Sequence, residues 1–364
     1  MFDSIYNGKR VLVTGHTGYK GSWLCQWLIK LGADIAGYSL APQTNPNHFN
    51  VLAMEMKSII NDLRDYQNLF KVFKEFKPEV VFHLGAQASV LVSYDESIET
   101  FSSNIMGTAN ILEACKHMPS VQAVVIVTTD KCYENREDRE YGYRENDRLG
   151  GHDPYSASKA CSELVTASYR QSFFDTNKSN KLKGPLIASA RAGNVIGGGD
   201  WTDDRLVPDI MRAVANHRPV TIRNPSSIRP WQHVLEPLSG YLLLGQRMLE
   251  GNLKIADAWN FGPSSDLNLS TERLVKLMHD QWPKIKGESA QQESAPHEAG
   301  FLILDSTKAK RSLGWSPVWG IDATIKHTIN WYRAFEKDGI VITDQQIDLY
   351  SQDAISKNII WRIS

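Results

Sequence analysis

The stretch Gly15-His16-Thr17-Gly18-Tyr19-Lys20-Gly21 directly follows a short apolar run at residues 9–13 and begins a segment in which apolar side chains recur at helical spacing. A strand, a glycine-rich turn and a helix in this order predict a dinucleotide-binding loop. One glycine makes the tight turn, another lets the backbone approach a pyrophosphate, and a third lets the helix pack on the strand. The helix would present unpaired N–H groups and its positive dipole end to the phosphates. An ordinary strand-to-helix turn is the alternative.

Short apolar runs alternate with helical patterns along the first half of the chain. Predicted strands cover residues 9–13, 35–38, 58–61, 80–84, 123–127 and 186–190. Helical spacing occurs in residues 23–31, 69–76, 100–117 and 155–173. Uniformly apolar strands separated by helices predict an α/β fold, a Rossmann-type doubly wound parallel sheet. After residue 191 the many Gly and Pro residues predict a smaller lobe, so we expect domains at 1–190 and 191–364, with 258–261 a strand returning to the sheet.

Composition excludes several classes of protein. The 364 residues include 40 Lys+Arg against 41 Asp+Glu, a net charge of -1 that gives no electrostatic footprint for nucleic acid or an acidic membrane. No apolar run approaches the roughly 18 residues of a transmembrane helix, and the N-terminus has no signal-peptide core. Four scattered cysteines and ten histidines show no metal-ligand spacing. We therefore expect a cytoplasmic protein with no metal ion.

Tyr155 and Lys159 form a second candidate site, in the segment Tyr155-Ser156-Ala157-Ser158-Lys159. Residues four apart share one face of a helix. The Lys159 ammonium would lower the pKa of the Tyr155 phenol from about 10, so that the phenolate could act as a base near neutral pH. Such pairs are common on helix surfaces. Here the pair begins a helix after the fifth predicted strand of a dinucleotide-binding pattern, which favours a catalytic base.

Further segments resemble the extended short-chain dehydrogenase/reductase family, and within it the nucleotide-sugar 4,6-dehydratases and epimerases. The resemblance covers nearly the whole chain. It rests on residues 15–21, 62–63, 83–87, 128–130, 155–159, 191–195, 204–208, 229–234, 305–309 and 313–317. Within the family the likeness is strongest to the branch that acts on CDP-glucose, chiefly through residues 15–24, 129–133 and 193–201.

The resemblance implies a bound NAD and assigns roles to matching positions. Cofactor-binding residues would be Gly15, Thr17, Gly18, Tyr19, Lys20, Gly21, Asp62, Leu63, Leu84, Ala86, Gln87, Thr128, Tyr155 and Lys159. Substrate-binding residues would be Asn194, Arg205, Leu206, Arg229 and His233, and catalytic residues Thr129, Asp130, Lys131, Tyr155 and Lys159. Asp62 and Leu63 would hold the adenine ring, with Thr128 and Thr129 beside the nicotinamide and the sugar. As alternatives, Asp62 could cap a turn, and the two arginines could be solvated surface residues.

The end of the second strand departs from the family pattern. NAD enzymes of this type often carry an acidic residue there to hold the ribose hydroxyls. Residues 36–40 contain none, and no arginine cluster is present for a 2′-phosphate. Lys20 could serve as a nearby cation or simply cover the helix end.

The pair Asp130-Lys131 is the second departure, because many 4,6-dehydratases have Asp-Glu at this position. Loss of water needs an acid for the C6 hydroxyl and a base for the C5 proton. Asp130 can be the acid if burial raises its pKa. Lys131 can be the base when neutral, or it can stabilise the developing enolate as a cation. A strand-end charge directed to solvent is the alternative.

The resemblance predicts a redox-neutral 4,6-dehydratase whose product is a precursor of the deoxysugars in bacterial lipopolysaccharide. A nucleotide-sugar 4-epimerase would need Tyr155 and Lys159 but no acid–base pair for water loss. A non-catalytic dinucleotide-binding regulator is the other alternative. The family also implies a homodimer or higher homo-oligomer, formed through helices near 105–117 and 155–173.

Overall fold

A seven-stranded sheet forms the centre of the computed structural model, which describes residues 1–136, 142–174, 184–263, 268–289 and 300–359. Its strands are Arg10–Thr14 (β1), Asp34–Ser39 (β2), Lys57–Ile60 (β3), Val80–His83 (β4), Ala123–Val127 (β5), Leu186–Ala192 (β6) and, numbered in chain order, Ala258–Phe261 (β11). They are all parallel, in the order β3-β2-β1-β4-β5-β6-β11. The predicted doubly wound sheet and the returning strand at 258–261 are confirmed. The order reverses between β1 and β4, which opens a crevice at the carboxyl ends of these strands.

Helices cover both faces of this sheet, and short strands lie outside it. The helices are Tyr19–Lys30 (α1), His48–Leu52 (α2), Tyr66–Phe76 (α3), Val90–Asp95 (α4), Ser97–Phe101 (α5), Gly107–Lys116 (α6), Pro154–Phe173 (α7), Leu206–Ala215 (α8), Leu235–Leu249 (α9), Thr271–Gln281 (α10), Ile321–Asp338 (α11) and Thr343–Ser356 (α12). The short strands are Val195–Ile196 (β7), Val220–Ile222 (β8), Ile228–Pro230 (β9), Gln232–His233 (β10), Asn268–Ser270 (β12) and Gly287–Ser289 (β13). They pair as β7 with β10, β8 with β13 and β9 with β12.

Alternate residues of each central strand pack into different cores, which explains why the strands are uniformly apolar. On β1, Val11 and Val13 join the core that contains Trp23 and Trp27, whereas Leu12 packs on the opposite face of the sheet. A strand that is buried on both faces has few positions for a polar side chain, and those it has, such as Ser189 and Arg191 on β6, have buried partners. The pattern that identified the strands is therefore a direct consequence of the two helical layers.

The predicted helix at 100–117 is interrupted by a π turn over Ser102–Met106, between α5 and α6. Asn104 in this turn is buried, and its side chain accepts from the Gln87 N–H (2.8 Å) and donates to the Gln87 carbonyl (3.0 Å) and to Ser158 Oγ (2.8 Å). Such turns occur frequently at functional sites. Here the π turn places the Asn104 amide against Gln87, in the loop that follows β4.

Much of the chain after residue 191 packs on the sheet instead of standing apart from it. Helix α9 contacts β5 and β6, and α12 packs on α1. Buried Glu236, at the start of α9, accepts from the backbone N–H groups of Val318 (2.9 Å) and Trp319 (2.7 Å) and from the Tyr350 hydroxyl (2.7 Å). These contacts join the C-terminal segment to the central layers.

Candidate active site

The loop between β1 and α1 has the close backbone packing that its glycines predict. Gly15 has a φ of +75°, and a Cβ there would lie 2.7 Å from the Gly85 nitrogen. A Cβ at Gly21 would lie 2.1 Å from the Gly15 carbonyl oxygen. Gly18 is the N-cap of α1 and carries no capping side chain, so the first N–H groups of the helix face the loop. This geometry can hold a pyrophosphate.

Thr17 connects the loop to the end of β2. Its hydroxyl hydrogen-bonds Ser39 Oγ and donates to the Leu40 carbonyl, both at 2.9 Å. Asp62 lies at the end of the neighbouring strand β3, where its carbonyl accepts from the Tyr38 hydroxyl (3.0 Å) and its carboxylate binds Arg64 (2.5 Å). Hydrogen bonding to Arg64 holds the pKa of Asp62 below its usual range.

The residues after β4 lie at the crevice. Leu84 and Ala86 are partly buried, and the Gln87 backbone is held by Asn104. Leu63 is close to both Gly85 and Gly107. The structure thus brings the residues predicted for the cofactor from β1, β2, β3 and β4 to one edge of the sheet, as parallel strand ends require.

Tyr155 and Lys159 are both buried on the first turns of α7, whose N-cap Asp153 accepts from the Ser156 N–H (2.9 Å). Burial raises the pKa of Tyr155 to about 12, and a hydrogen bond with the Thr129 hydroxyl and the charge of Arg205 oppose that increase. This direction is opposite to the lowering that we predicted from the spacing alone. Lys159 Nζ donates to the Val127 carbonyl at 3.1 Å. Burial lowers the pKa of Lys159 to about 8.

The turn after β5 presents three of the predicted catalytic residues. Thr129 Oγ1 donates to Asp130 Oδ1 at 3.0 Å, and Asp130 is 2% exposed. Its Oδ2 atom is buried and has no hydrogen-bond partner among the residues that the structure describes. Burial raises the pKa of Asp130, although Lys131, Thr129 and Arg229 oppose the effect. Asp130 is thus suited to keep a proton that it can donate.

A buried ion pair lies next to the turn that follows β5. Glu163 Oε2 lies 2.9 Å from Arg191 Nη2, and Glu163 also accepts from Thr128 Oγ1 (2.5 Å) and Ser189 Oγ (2.7 Å). Arg191 donates to the Tyr133 hydroxyl at 2.8 Å and lies over its ring. The Thr128 hydroxyl therefore binds this network while the residue also lines the cavity described below, and its place beside the nicotinamide stays a prediction.

A cavity of about 280 Å³ lies between the strand ends and the segments that follow β6. The predicted residues among those that line it are Tyr19, Lys20, Thr128, Thr129, Asp130, Lys131, Tyr155, Asn194, Arg205, Leu206 and Arg229. His233 is fully buried behind it, with its ring against Trp23 and Trp319 and its Nε2 near Gly197. His233 is not among the residues that line the cavity, but its Nε2 has no hydrogen-bond partner among the described residues, and its contact with substrate stays a prediction.

Several cavity and support residues were missed by the sequence reasoning. Glu163 follows Lys159 by four residues, just as Lys159 follows Tyr155, so its place on the same stripe of α7 was available as a signal. Asp200, Arg223 and Trp231 also line the cavity. Asp200 and Trp231 lie in segments 193–201 and 229–234, which carry the family resemblance, but neither was given a role. Arg223 lies outside these segments, and no local pattern identifies it.

Among the described residues, no helix is both long and apolar enough to cross a membrane, and no three His, Cys, Asp or Glu side chains are grouped as metal ligands would be.

Comparison with protein families finds that the model described as GDP-mannose 4,6 dehydratase matches residues 12–328. A curated relative, the CDP-glucose 4,6-dehydratase of Salmonella typhimurium, is 47% identical over 352 residues, which cover 95% of this chain and 97% of the relative. A dTDP-glucose 4,6-dehydratase of Neisseria gonorrhoeae is 24% identical, over 89% of this chain and 95% of its own length.

Solved structures of similar proteins have the same fold. The UDP-glucose 4-epimerase of Thermus thermophilus in complex with NAD is 25% identical, with a TM-score of 0.76 over 89% of this chain and 99% of that one. The dTDP-glucose 4,6-dehydratase of Bacillus anthracis in complex with NAD is 19% identical, with a TM-score of 0.75 over 91% and 98% of the two chains.

Proposed function

The chain belongs to the GDP-mannose 4,6 dehydratase family, and from this premise we propose that it is a CDP-glucose 4,6-dehydratase, a hydro-lyase that forms CDP-4-keto-6-deoxyglucose and water. The observation that carries the proposal is the 47% identity to a CDP-glucose 4,6-dehydratase over nearly the full length of both chains. The cavity supports it, because Asp130, Lys131 and Tyr155 line the same space as Arg205 and Arg229. An acid–base group and a phosphate-binding group are both needed for this reaction.

NAD fits the loop between β1 and α1. The Gly15 and Gly21 positions leave no room for a Cβ, and the uncapped N-terminus of α1 supplies N–H groups for a pyrophosphate. When bound, NAD supplies a reversible hydride transfer, from sugar C4 at the start of the reaction and back to C6 at its end.

Tyr155 removes the proton of the C4 hydroxyl in this proposal. Because burial raises the pKa of its phenol to about 12, positive charge is needed to offset burial. Lys159, one turn further along α7, and Arg205, which lines the cavity, are two cations near this phenol. The 4-ketone that results makes the C5 proton acidic.

Asp130 donates a proton to the departing C6 hydroxyl. Its buried Oδ2, unpartnered among the described residues, and its raised pKa suit a general acid. Thr129 orients it from 3.0 Å. Lys131 lines the cavity beside it and acts at C5, either by taking the proton as an amine or, as a cation, by stabilising the enolate while a water takes the proton.

The test is mass spectrometry of the products formed from CDP-, UDP-, dTDP- and GDP-glucose. We expect CDP-glucose to lose one water with no net formation of NADH. A product of unchanged mass would identify an epimerase, and stoichiometric NADH would identify a simple dehydrogenase. No turnover of any sugar nucleotide would favour a non-catalytic regulator.

We further propose that the two parts of the chain form different domains, with residues 1–190 as the cofactor-binding domain and residues 191–364 as the nucleotide-sugar-binding lobe. Its support is that Asn194, Arg205 and Arg229 all lie in the second part. We place the reaction in the cytoplasm, where the product would enter deoxysugar synthesis for bacterial surface polysaccharide.

A homodimer formed through α7 and the helices beside it completes the proposal. Ile98, Met106 and Leu164 are 80%, 54% and 58% exposed, and they lie on α5, the π turn and α7, which pack on one another. Light scattering of Leu164→Glu should report a smaller particle than the wild type, because a buried charge would oppose the interface.

A further inference from the structure

The first turn of α1 faces two sites at once. Its backbone N–H groups open toward the loop of Gly15 and Gly18, whereas the side chains of Tyr19 and Lys20 line the cavity that also contains Asp130 and Arg205. Both residues were predicted from the sequence to bind the cofactor. Their side chains instead share a space with the groups assigned to the nucleotide sugar.

The Tyr19 hydroxyl is a buried polar group that the fold leaves without a hydrogen bond. The residue is 9% exposed, and its hydroxyl has no partner among the described residues. A Cβ at Gly197, another cavity residue, would lie 2.5 Å from this hydroxyl and 3.3 Å from His233 Nε2, a second buried atom without a partner among the described residues. Arg205 and Asp200 are its charged neighbours. Since buried hydroxyls in folded proteins nearly always have partners, this one points to a ligand in the cavity.

Lys20 brings a cation to the same place. It lies near Arg205 and Lys159, whose charges repel it, and near Asp130 and Asp200, whose charges attract it. Burial and the neighbouring Arg205 lower the pKa of Lys20 to about 8. Arg205 also pairs with Asp200 at 3.3 Å, so one carboxylate offsets part of this positive charge. A bound anion between the Lys20 and Arg205 cations would relieve their remaining repulsion.

We propose that the Tyr19 hydroxyl and the Lys20 ammonium bind the diphosphate of the nucleotide sugar, together with Arg205. This inference rests on the proposed function, since it takes a nucleoside diphosphate sugar as the ligand. The first turn of α1 then serves two pyrophosphates, that of the cofactor through its backbone and that of the substrate through its side chains. A lysine supplies a point charge that suits phosphate, and a phenol donates one hydrogen bond.

Calorimetric titration of the full chain, in the presence of NAD, with CDP tests the proposal. Lys20→Met should weaken CDP binding by roughly tenfold or more, because it removes a charge-assisted hydrogen bond. Lys20→Arg should restore most of the affinity. The matched control is Lys30→Met on the last turn of the same helix, where Lys30 pairs with Asp348 at 3.0 Å, and it should bind CDP as the wild type does.

Tyr19→Phe gives an independent readout. Because the hydroxyl has no partner in the part of the chain that the structure describes, its removal should leave the Tm of the protein unchanged or higher, while the shift in Tm that CDP produces becomes smaller. Tyr66→Phe on α3, outside the cavity, is the matched control and should not alter the CDP-induced shift.

Titration with NAD separates the two sites. Neither Lys20→Met nor Tyr19→Phe should weaken NAD binding. Weaker NAD binding with unchanged CDP binding would overturn the inference and return both side chains to the cofactor. If the wild type binds UDP, dTDP or GDP better than CDP, the proposed substrate is wrong, and the same variants are then compared with the preferred nucleotide. A wild type that binds none of the four would overturn both proposals.

Discussion

Replacement of Glu163 by Gln tests whether the buried ion pair with Arg191 holds the catalytic end of β5. Glu163 and Arg191 are each 3% exposed and lie 2.9 Å apart. Gln keeps the shape of the side chain and most of its hydrogen-bonding capacity. The variant therefore removes one charge and leaves the guanidinium of Arg191 buried without a counter-charge.

The expected loss is large because neither partner can reach water. Breaking a buried pair costs about 3–5 kcal/mol, and the bonds from Thr128 and Ser189 become weaker once their acceptor is neutral. Burial tends to raise the pKa of Glu163. The charge of Arg191 and the hydrogen bonds from Arg191, Thr128 and Ser189 outweigh this effect of burial and keep the pKa of Glu163 below its usual value. The carboxylate is therefore charged at pH 7, and its stabilising contribution is lost only as the pH falls through that lowered pKa.

Urea unfolding followed by circular dichroism measures the effect. The double variant Glu163→Gln/Arg191→Met should recover part of the loss, since the uncompensated charge is then gone. Glu75→Gln is the surface control, because Glu75 pairs with Lys57 at 3.8 Å while half-exposed, and it should cost less than about 1 kcal/mol. A loss of under about 1 kcal/mol for Glu163→Gln, or a double variant worse than the sum of the single ones, would refute the reasoning.

Three further predictions concern catalysis and pH. Tyr155→Phe should lower kcat by about 10²–10⁴-fold while NAD binding persists, because the ring stays and only the base is lost; near-normal turnover would contradict this role. Lys131→Ala should still form bound NADH, seen by absorbance, but C5 hydrogen exchange with deuterated solvent should fall sharply. Asp130→Asn should keep that exchange and slow the loss of water, and wild-type exchange in Lys131→Ala would exclude Lys131 as the base. Finally, burial raises the pKa of Glu236 from 4.5 to about 7 against the opposing hydrogen bonds, so the folded state binds its proton more tightly than the unfolded state does. The contribution of Glu236 to the free energy of unfolding should therefore fall by about 3 kcal/mol as the pH rises from 4.5 to 7, whereas buried histidines with lowered pKa values, such as His48 and His83, give the opposite slope. The difference between the wild type and Glu236→Gln in urea titrations at several pH values isolates the Glu236 contribution.

The sequence alone was sufficient to predict the sheet, because each of its signals is local. The strands are apolar runs because both of their faces are buried, and the first loop requires glycine because a Cβ at Gly21 would lie 2.1 Å from the Gly15 carbonyl oxygen. The placement of Tyr155 and Lys159 on one face of α7 follows from helix geometry. Parallel strand ends meet at one edge of a sheet, so the order of the segments also predicted that the candidate site residues would converge.

Only the tertiary structure decided how those residues are surrounded. The pKa of Tyr155 rises because of burial, which depends on residues far away in the chain, and the local Lys159 does not reverse it. His233 lies behind the cavity and Thr128 turns to Glu163, since packing from α7, β6 and the C-terminal segment sets those orientations. The side chains of Tyr19 and Lys20 face the space near Arg205, a residue of a distant loop. Periodicity determines which face of an element is buried, but desolvation and charge pairing depend on what the rest of the chain places against that face.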